Sequence, residues 1–180
     1  MFESPEAIIK QLFLKPGAVV VDMGAGMGAF SIASAKQVGK NGIVYAVEVQ
    51  RQLLNVIDQN AKHVGVGNIR VVWGDIERDH GTKLADHVAD VVILANTLFQ
   101  VENKDATITE CVRLLKKGGL PTGQAGQLLV VDWKETSIGA GPRPDQLVTT
   151  VALDNIMAKA GLKRSETISA GAHHYGIIYV

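Results

Sequence analysis

The stretch Ala18-Val19-Val20-Val21-Asp22-Met23-Gly24-Ala25-Gly26-Met27-Gly28 decides the fold. Its apolar run to Val21 reads as a buried strand, its glycine-rich middle as a sharp turn, and Ala29-Phe30-Ser31-Ile32-Ala33 as the helix that follows. Glycine is needed where backbone must turn tightly and approach a ligand with no Cβ in the way. The free N–H groups at the start of such a helix favour an anionic group, a carboxylate or a phosphate. Asp22 is the unusual residue. A phosphate-cradling loop gains nothing from a carboxylate there, whereas a zwitterionic amino acid needs one beside its ammonium.

Outward from this loop, strand and helix patterns alternate. Ser4 before Pro5 is a capping hydroxyl with proline at the first helical position, so a short helix is expected to about Leu12. The helix after the glycine loop should end near Gly39, and Gly42 to Val47 reads as a second strand closed by Glu48. Leu53, Val56, Ile57, Ala61 and Val64 share one helical face, which predicts a helix over 50–64. Strands follow at Val71-Val72-Trp73, ahead of Asp75, and at Ala89 to Ala95, ahead of Asn96. Ile108, Cys111, Val112 and Leu115 predict a helix from about Asp105 to Lys117, with Lys116 and Lys117 suited to its negative end and Gly118-Gly119 as its stop. Residues 120–126 read as an exposed turn, Leu128 to Trp133 as a fifth strand and residues 136–144 as a loop. Leu153, Ile156, Met157 and Ala160 mark a last helix, and residues 162–169 and 173–180 a closing pair of strands. This alternation predicts an α/β protein with a mostly parallel, doubly wound sheet.

Two cofactor classes compete for the loop. Gly24-x-Gly26-x-x-Ala29 satisfies a dinucleotide fingerprint, with Glu48 spaced to hold a ribose. The same residues also read as acid-x-Gly-x-Gly-x-Gly. With Glu48 after the second strand, Asp75 after the third and Asn96 after the fourth, the chain resembles the class I S-adenosylmethionine (SAM)-dependent methyltransferases over nearly its whole length. Gly118-Gly119, Val131-Asp132-Trp133-Lys134, Ile138-Gly139-Ala140-Gly141-Pro142 and His174-Tyr175-Gly176 look like the small-molecule branch related to ubiquinone/menaquinone-biosynthesis methyltransferases. Asn96-Thr97-Leu98-Phe99 lacks the paired prolines typical of enzymes that methylate adenine amines or protein glutamine.

The resemblance implies a three-layer αβα fold with seven strands in the order 3-2-1-4-5-7-6, strand 7 antiparallel. It implies SAM as cofactor and S-adenosylhomocysteine (SAH) as product. Gly24, Ala25 and Gly26 would present backbone to the methionine part, with Asp22 orienting its ammonium. Glu48 would accept from the ribose hydroxyls, Val49 and Ile76 would sandwich the adenine, and Asp75 would accept from its amino group. Asn96, Thr97, Phe99, Gln100, Lys134 and Glu135 would lie near the methyl, together with His173 and His174, the candidates for a base. Relatives usually carry further covering elements of which this chain has little, so an open acceptor site, or one completed by a second subunit as in a homodimer, is expected. The acceptor implied is a small organic molecule. The alternatives are an RNA or protein methyltransferase, favoured by a basic rim near Lys134, Arg143 and Lys163-Arg164, or a non-catalytic SAM-binding scaffold subunit.

Bulk properties set the outer bounds. One domain over residues 1–180 is expected. Lysine plus arginine number 18 and aspartate plus glutamate 18, so no global field draws nucleic acid or an anionic membrane. No stretch approaches the roughly 20 apolar residues of a membrane span, and the acidic start Met1 to Glu6 lacks the regions of a secretion signal. Cys111 is the single cysteine, on the apolar face of its helix, which leaves no intrachain disulfide or multi-thiolate metal site. No metal is expected at His173-His174, because adjacent strand residues point to opposite faces. A cytoplasmic location follows as the default.

Overall fold

The computed structural model describes residues 2–118, 125–134 and 141–180. Apolar, β-branched runs form the strands β1 (Val19–Met23), β2 (Ile43–Glu48), β3 (Ile69–Trp73), β4 (Val91–Ala95), β5 (Gln127–Trp133), β6 (Arg164–Ile168) and β7 (His174–Tyr179). They make one sheet in the order β3-β2-β1-β4-β5-β7-β6. Its first five strands are parallel, and β7 runs antiparallel to both β5 and β6. The helices are α1 (Pro5–Lys10), α2 (Ala29–Val38), α3 (Arg51–His63), α4 (Lys104–Leu114) and α5 (Thr150–Lys159).

Two apolar layers sandwich the sheet, as the alternation of side chains along each strand requires. Val20, Val44, Ile93, Leu129 and Val131 pack against Ile8 and Ile9 of α1 and Phe30 and Ala33 of α2. Val21, Val92, Leu94, Leu128 and Val130 pack against Ile108, Cys111 and Leu114 of α4 and Leu153 and Met157 of α5. Cys111 is wholly buried there, as its place on the apolar face predicts.

Helix α4 is shorter than its sequence pattern. Leu115 turns to extended backbone and bridges Ala89, and the Lys116 N–H donates to the Ala89 carbonyl at 2.9 Å. Lys116 therefore does not close a helix; its ammonium pairs with Asp90 at 2.7 Å, while Asp90 also accepts from the Val19 N–H. The stop expected at Gly119, most of the 120–126 turn and most of the 136–144 loop lie outside the described residues.

The connection from β3 to β4 contains no helix: residues 74–90 cross the face as successive turns. A buried ionic cluster holds them. Glu110, 2% exposed, accepts from the Thr82 hydroxyl at 2.6 Å and from Arg113, whose guanidinium also reaches the Leu84 carbonyl and Asp86. Burial alone would push the Glu110 carboxyl up, but the hydrogen bonds from Arg113 and Thr82 outweigh it and bring it down to about 2.

Candidate functional site

Strand order reverses on either side of β1, and in open α/β sheets such a reversal leaves a crevice at the carboxyl ends of the strands. Here that edge holds a cleft of about 460 Å³ lined by Gly24, Gly26, Glu48, Val49, Asp75, Ile76, Asn96 and Thr97. A larger hollow of about 850 Å³ lies at the opposite edge, beside Asp90 and Lys116, whose charges already satisfy each other. The chemistry-bearing side chains gather at the first.

The glycine loop is strapped to β2. The N–H groups of Gly24 and Ala25 both donate to the Val47 carbonyl at 2.9 Å, and the Gly26 N–H donates to Glu48 at 2.9 Å. These three donors are therefore spent inside the protein. What the loop gives the cleft is room: among the described residues, Gly26, at φ +56°, has no atom beyond its chain neighbours within 4 Å of where a Cβ would stand. Gly24, at φ +75°, lies so close to Thr97 that its Cβ would fall 2.7 Å from the Thr97 methyl.

Asp22 sits on β1 beneath the loop, 2% exposed, and is not among the residues lining the cleft. Its carboxyl accepts from the Ser31 hydroxyl at 2.5 Å and from the Ser31 backbone N–H. Gly28 is the N-cap of α2, so Ser31 is its third residue, and Asp22 satisfies one of the helix's orphan donors from another element. The anion expected at this helix start is therefore supplied from within. Burial pushes the Asp22 carboxyl up to about 6, against the opposing pull of Ser31.

That shift has a testable sign. The native state binds the proton more tightly than the unfolded chain, whose ordinary value is 3.8. The stabilisation is complete below that value and is lost as pH rises through 6, by about 3 kcal/mol at most. Asp22→Asn is expected to flatten the fall in urea midpoint between about pH 4 and 7. An unchanged slope would reject the assignment. Asp132, 1% exposed and likewise pushed up to about 6 by burial, retains its own share.

Glu48, 5% exposed, ties the site together. One oxygen accepts from Gly26 and the other from the Gln50 N–H at 2.9 Å, at the N-cap of α3. An ionised carboxylate has about four acceptor positions, so one on each oxygen is left over. Val49 is 53% exposed, and the indole N–H of Trp73 donates to its carbonyl at 3.0 Å. Trp73 is itself flanked by Arg51 and Lys83, each 4.1 Å from its ring. Asp75 is half-exposed at the rim, accepting from the Glu77 N–H at 3.1 Å and from Arg78 at 2.8 Å.

Asn96 follows β4 at φ +54°, a conformation that asparagine tolerates and most side chains do not. Its N–H donates to the Val131 carbonyl at 2.8 Å, while its buried Oδ1 has no partner among the described residues. Thr97 and Gln100 line the cleft with it, and Phe99 is held by its N–H donating to Asp132 at 3.0 Å. The two histidines stand apart from the cleft lining. His173 accepts the Lys134 N–H on its carbonyl at 2.9 Å. His174 is 6% exposed, its ring 4.2 Å from that of Trp133, and burial lowers its imidazole to about 4, well below a useful base. Glu135 lies outside the described residues.

Sequence reasoning gave no role to three residues of this region. Ser31 lies nine positions after Asp22 and could have been suspected as its partner. Asp132 interrupts an otherwise apolar strand, which is a signal in itself. Phe2, which lines the cleft from the N-terminal segment, gives none.

Whether the residues suit SAM is answered by the cleft itself: a glycine cradle with open space at Gly26, a carboxylate with two acceptor positions remaining, and an orphaned amide oxygen at Asn96. They fit. The model of a family described as "methyltransferase domain" matches residues 14–127. A ubiquinone/menaquinone biosynthesis C-methyltransferase UbiE of Hydrogenovibrio crunogenus is 30% identical over 125 residues, which is 69% of this chain and 45% of the relative. An arsenite methyltransferase of Aquipseudomonas alcaligenes is 33% identical over 59% of this chain and 32% of its own length. The chain thus spans less than half of either relative. The crystal structure of a SAM-dependent methyltransferase from Aquifex aeolicus superposes with a TM-score of 0.84 at 25% identity, over 99% of this chain and 89% of that one.

Proposed function

The chain belongs to the SAM-dependent methyltransferase family, and from that premise we propose that it transfers a methyl group from SAM to a small organic acceptor. The observation carrying this reading is Glu48, which keeps one acceptor position on each oxygen at the head of the cleft. Two vicinal hydroxyls of a ribose need that pair. In this proposal Val49 and Ile76 flank the adenine, Asp75 accepts from its amino group, and Gly24, Ala25 and Gly26 leave room for the methionine part. Asp22 acts through Ser31 as a positioning residue beneath that loop. Asn96, with its unpartnered oxygen, faces the transfer region.

The bound cofactor supplies a methyl already activated on sulfonium. The residues then have to align an acceptor atom at about 3–3.5 Å and keep it in line. A base is required only where the acceptor atom must lose a proton at the transition state. A cytoplasmic location is part of the same proposal; among the described residues no helix is long and apolar enough to cross a membrane. In the rim that would favour RNA, Arg143 pairs with Asp145 and Arg164 with Asp154, which supports the small-molecule reading.

The arsenite relative suggests an acceptor that this chain is not equipped to hold. Cys111 is the single cysteine, and burial in the α4 core pushes its thiol far above the ordinary range. We expect no reaction of the native protein with a colorimetric disulfide reagent at neutral pH, and one equivalent after denaturation. Rapid native labelling would overturn this.

Calorimetric titration with SAM, SAH and NAD tests the main proposal. Tight binding of SAH and no heat with NAD are expected; NAD binding, or no SAH binding, would end it. Transfer from labelled SAM into fractionated cell extract then identifies the acceptor.

A further inference from the structure

We propose that residues 2–3 form a strap whose Phe2 ring fills the acceptor subsite, and that an acceptor binds by displacing it to meet His174. The inference rests on the SAM reading of the cleft and extends it to the adjoining ground.

Phe2 lines the cleft on one side and packs against His174 on the other, with ring centroids 4.4 Å apart and the rings tilted by 49°. Behind His174 stands Trp133 at 4.2 Å, and Phe30 lies 6.4 Å from Phe2. These are separations at which rings attract each other. The slot is therefore shaped for a flat apolar group, and the protein's own phenyl ring occupies it. Trp133 and His174 are register partners on β5 and β7, and the Asn96 N–H bonds to β5 at Val131. Two strand spacings, roughly 10 Å, and two residues along β5 separate Asn96 from His174, and Phe2 reaches from the cleft lining to the His174 ring.

His174 brings an unpartnered polar atom to this slot. Its Nδ1 is buried with no partner among the described residues, in a ring flanked by Phe2 and Trp133. An unpartnered buried polar atom is unfavourable unless a ligand group completes it. A phenyl ring cannot; an acceptor carrying a hydroxyl can. Neutral imidazole can donate or accept at that atom, according to its tautomer.

The strap is lightly held. Phe2 bridges Gly171, the Glu3 N–H donates to the Ala170 carbonyl at 3.3 Å, and the Ser169 hydroxyl donates to the Glu3 carboxylate. Helix α1 starts only at Pro5 and is anchored separately, by the fully buried Ile8 and Ile9 and by Gln11 on the Ser169 backbone. Ser4 stays with α1 as its N-cap, its hydroxyl accepting from the Ala7 N–H and its carbonyl from the Ile8 N–H, so residues 2–3 can lift while α1 stays docked.

The test uses 2-naphthol as probe and 2-methoxynaphthalene, which cannot donate, as its control. Both are titrated calorimetrically into wild type, Phe2→Ala, Ser169→Ala and Phe2→Ala/His174→Phe, with and without saturating SAH. Removing a resident ring should tighten 2-naphthol at least tenfold in Phe2→Ala. Ser169→Ala, which loosens the strap without touching the slot, should tighten it several-fold. The double variant should lose the preference for the naphthol over its ether. Weaker or unchanged binding in Phe2→Ala and Ser169→Ala overturns the proposal, since a permanent wall would give that result. The titrations without SAH read the strap even if the cofactor proposal fails, and SAH binding with unaltered naphthol affinity condemns the strap alone.

Discussion

Gly24→Ala is expected to unfold at markedly lower urea and to bind SAH at least tenfold more weakly than wild type. Two separate costs add. An L-residue at φ +75° is strained by roughly 1–2 kcal/mol. Its methyl would also lie 2.7 Å from Thr97 Cγ2 and 2.9 Å from Thr97 Oγ1. Thr97 cannot easily step aside, because a β-branched side chain is stiff at χ1 and its hydroxyl donates to the Ala95 carbonyl at 3.0 Å. Overpacking of this kind costs about 1–3 kcal/mol, so a total near 2–5 kcal/mol is expected. The components separate in a double variant: Thr97→Ala removes both clashing atoms but leaves the backbone strain. Gly24→Ala/Thr97→Ala should recover the overpacking share and retain the rest. If Gly24→Ala matches wild type in both urea midpoint and SAH affinity, the loop is not the tight floor described.

The same loop shows how far the sequence carried. A glycine run between an apolar strand and a helix has one economical geometry, so β1, the turn and α2 were readable from local pattern. The strand order was different in kind. Periodicity distinguishes strand from helix but says nothing about which strands are neighbours, and the order 3-2-1-4-5-7-6 came only with the family resemblance. Asp22 was recognisable as an acid with a purpose, yet its partner is the third residue of α2, a fact of how the helix rotates on the sheet. Lys116 misled because a lysine after an apolar helical face usually serves the helix end. Here Ala89 offered Leu115 and Lys116 a bridge to the strand, and Asp90 offered an opposite charge. Residues 74–90 gave no helical period, and the bonds from Thr82 to Glu110 and Arg113 that hold them join positions about thirty apart. Phe2 on His174 is farther still from any local signal. Contacts that span the chain leave no spacing to read.

Glu48→Gln should lower SAH affinity about ten- to a hundredfold, with a stability loss of about 1.5–3 kcal/mol, the worth of a hydrogen bond to a charged group. The carboxylate receives N–H groups on both oxygens, from Gly26 and from Gln50. An amide has a single oxygen, so one of those backbone donors must face an NH2 group, and the glycine loop or the start of α3 loses its tie. Weaker SAH binding on its own would therefore leave the ribose contact unproved, because a shifted loop would weaken any ligand. The contact is isolated by changing the ligand as well. Wild type and Glu48→Gln are each titrated with 5′-methylthioadenosine and with its 2′-deoxy counterpart. If Glu48 accepts from the ribose, losing the 2′-hydroxyl costs wild type several-fold more than it costs the variant, and the difference is the coupling energy of that hydrogen bond. If the two proteins discriminate equally between the ligands, Glu48 only braces the loop. The nucleoside would then have to lie elsewhere along the edge, and the assignment of the cleft would fall with it.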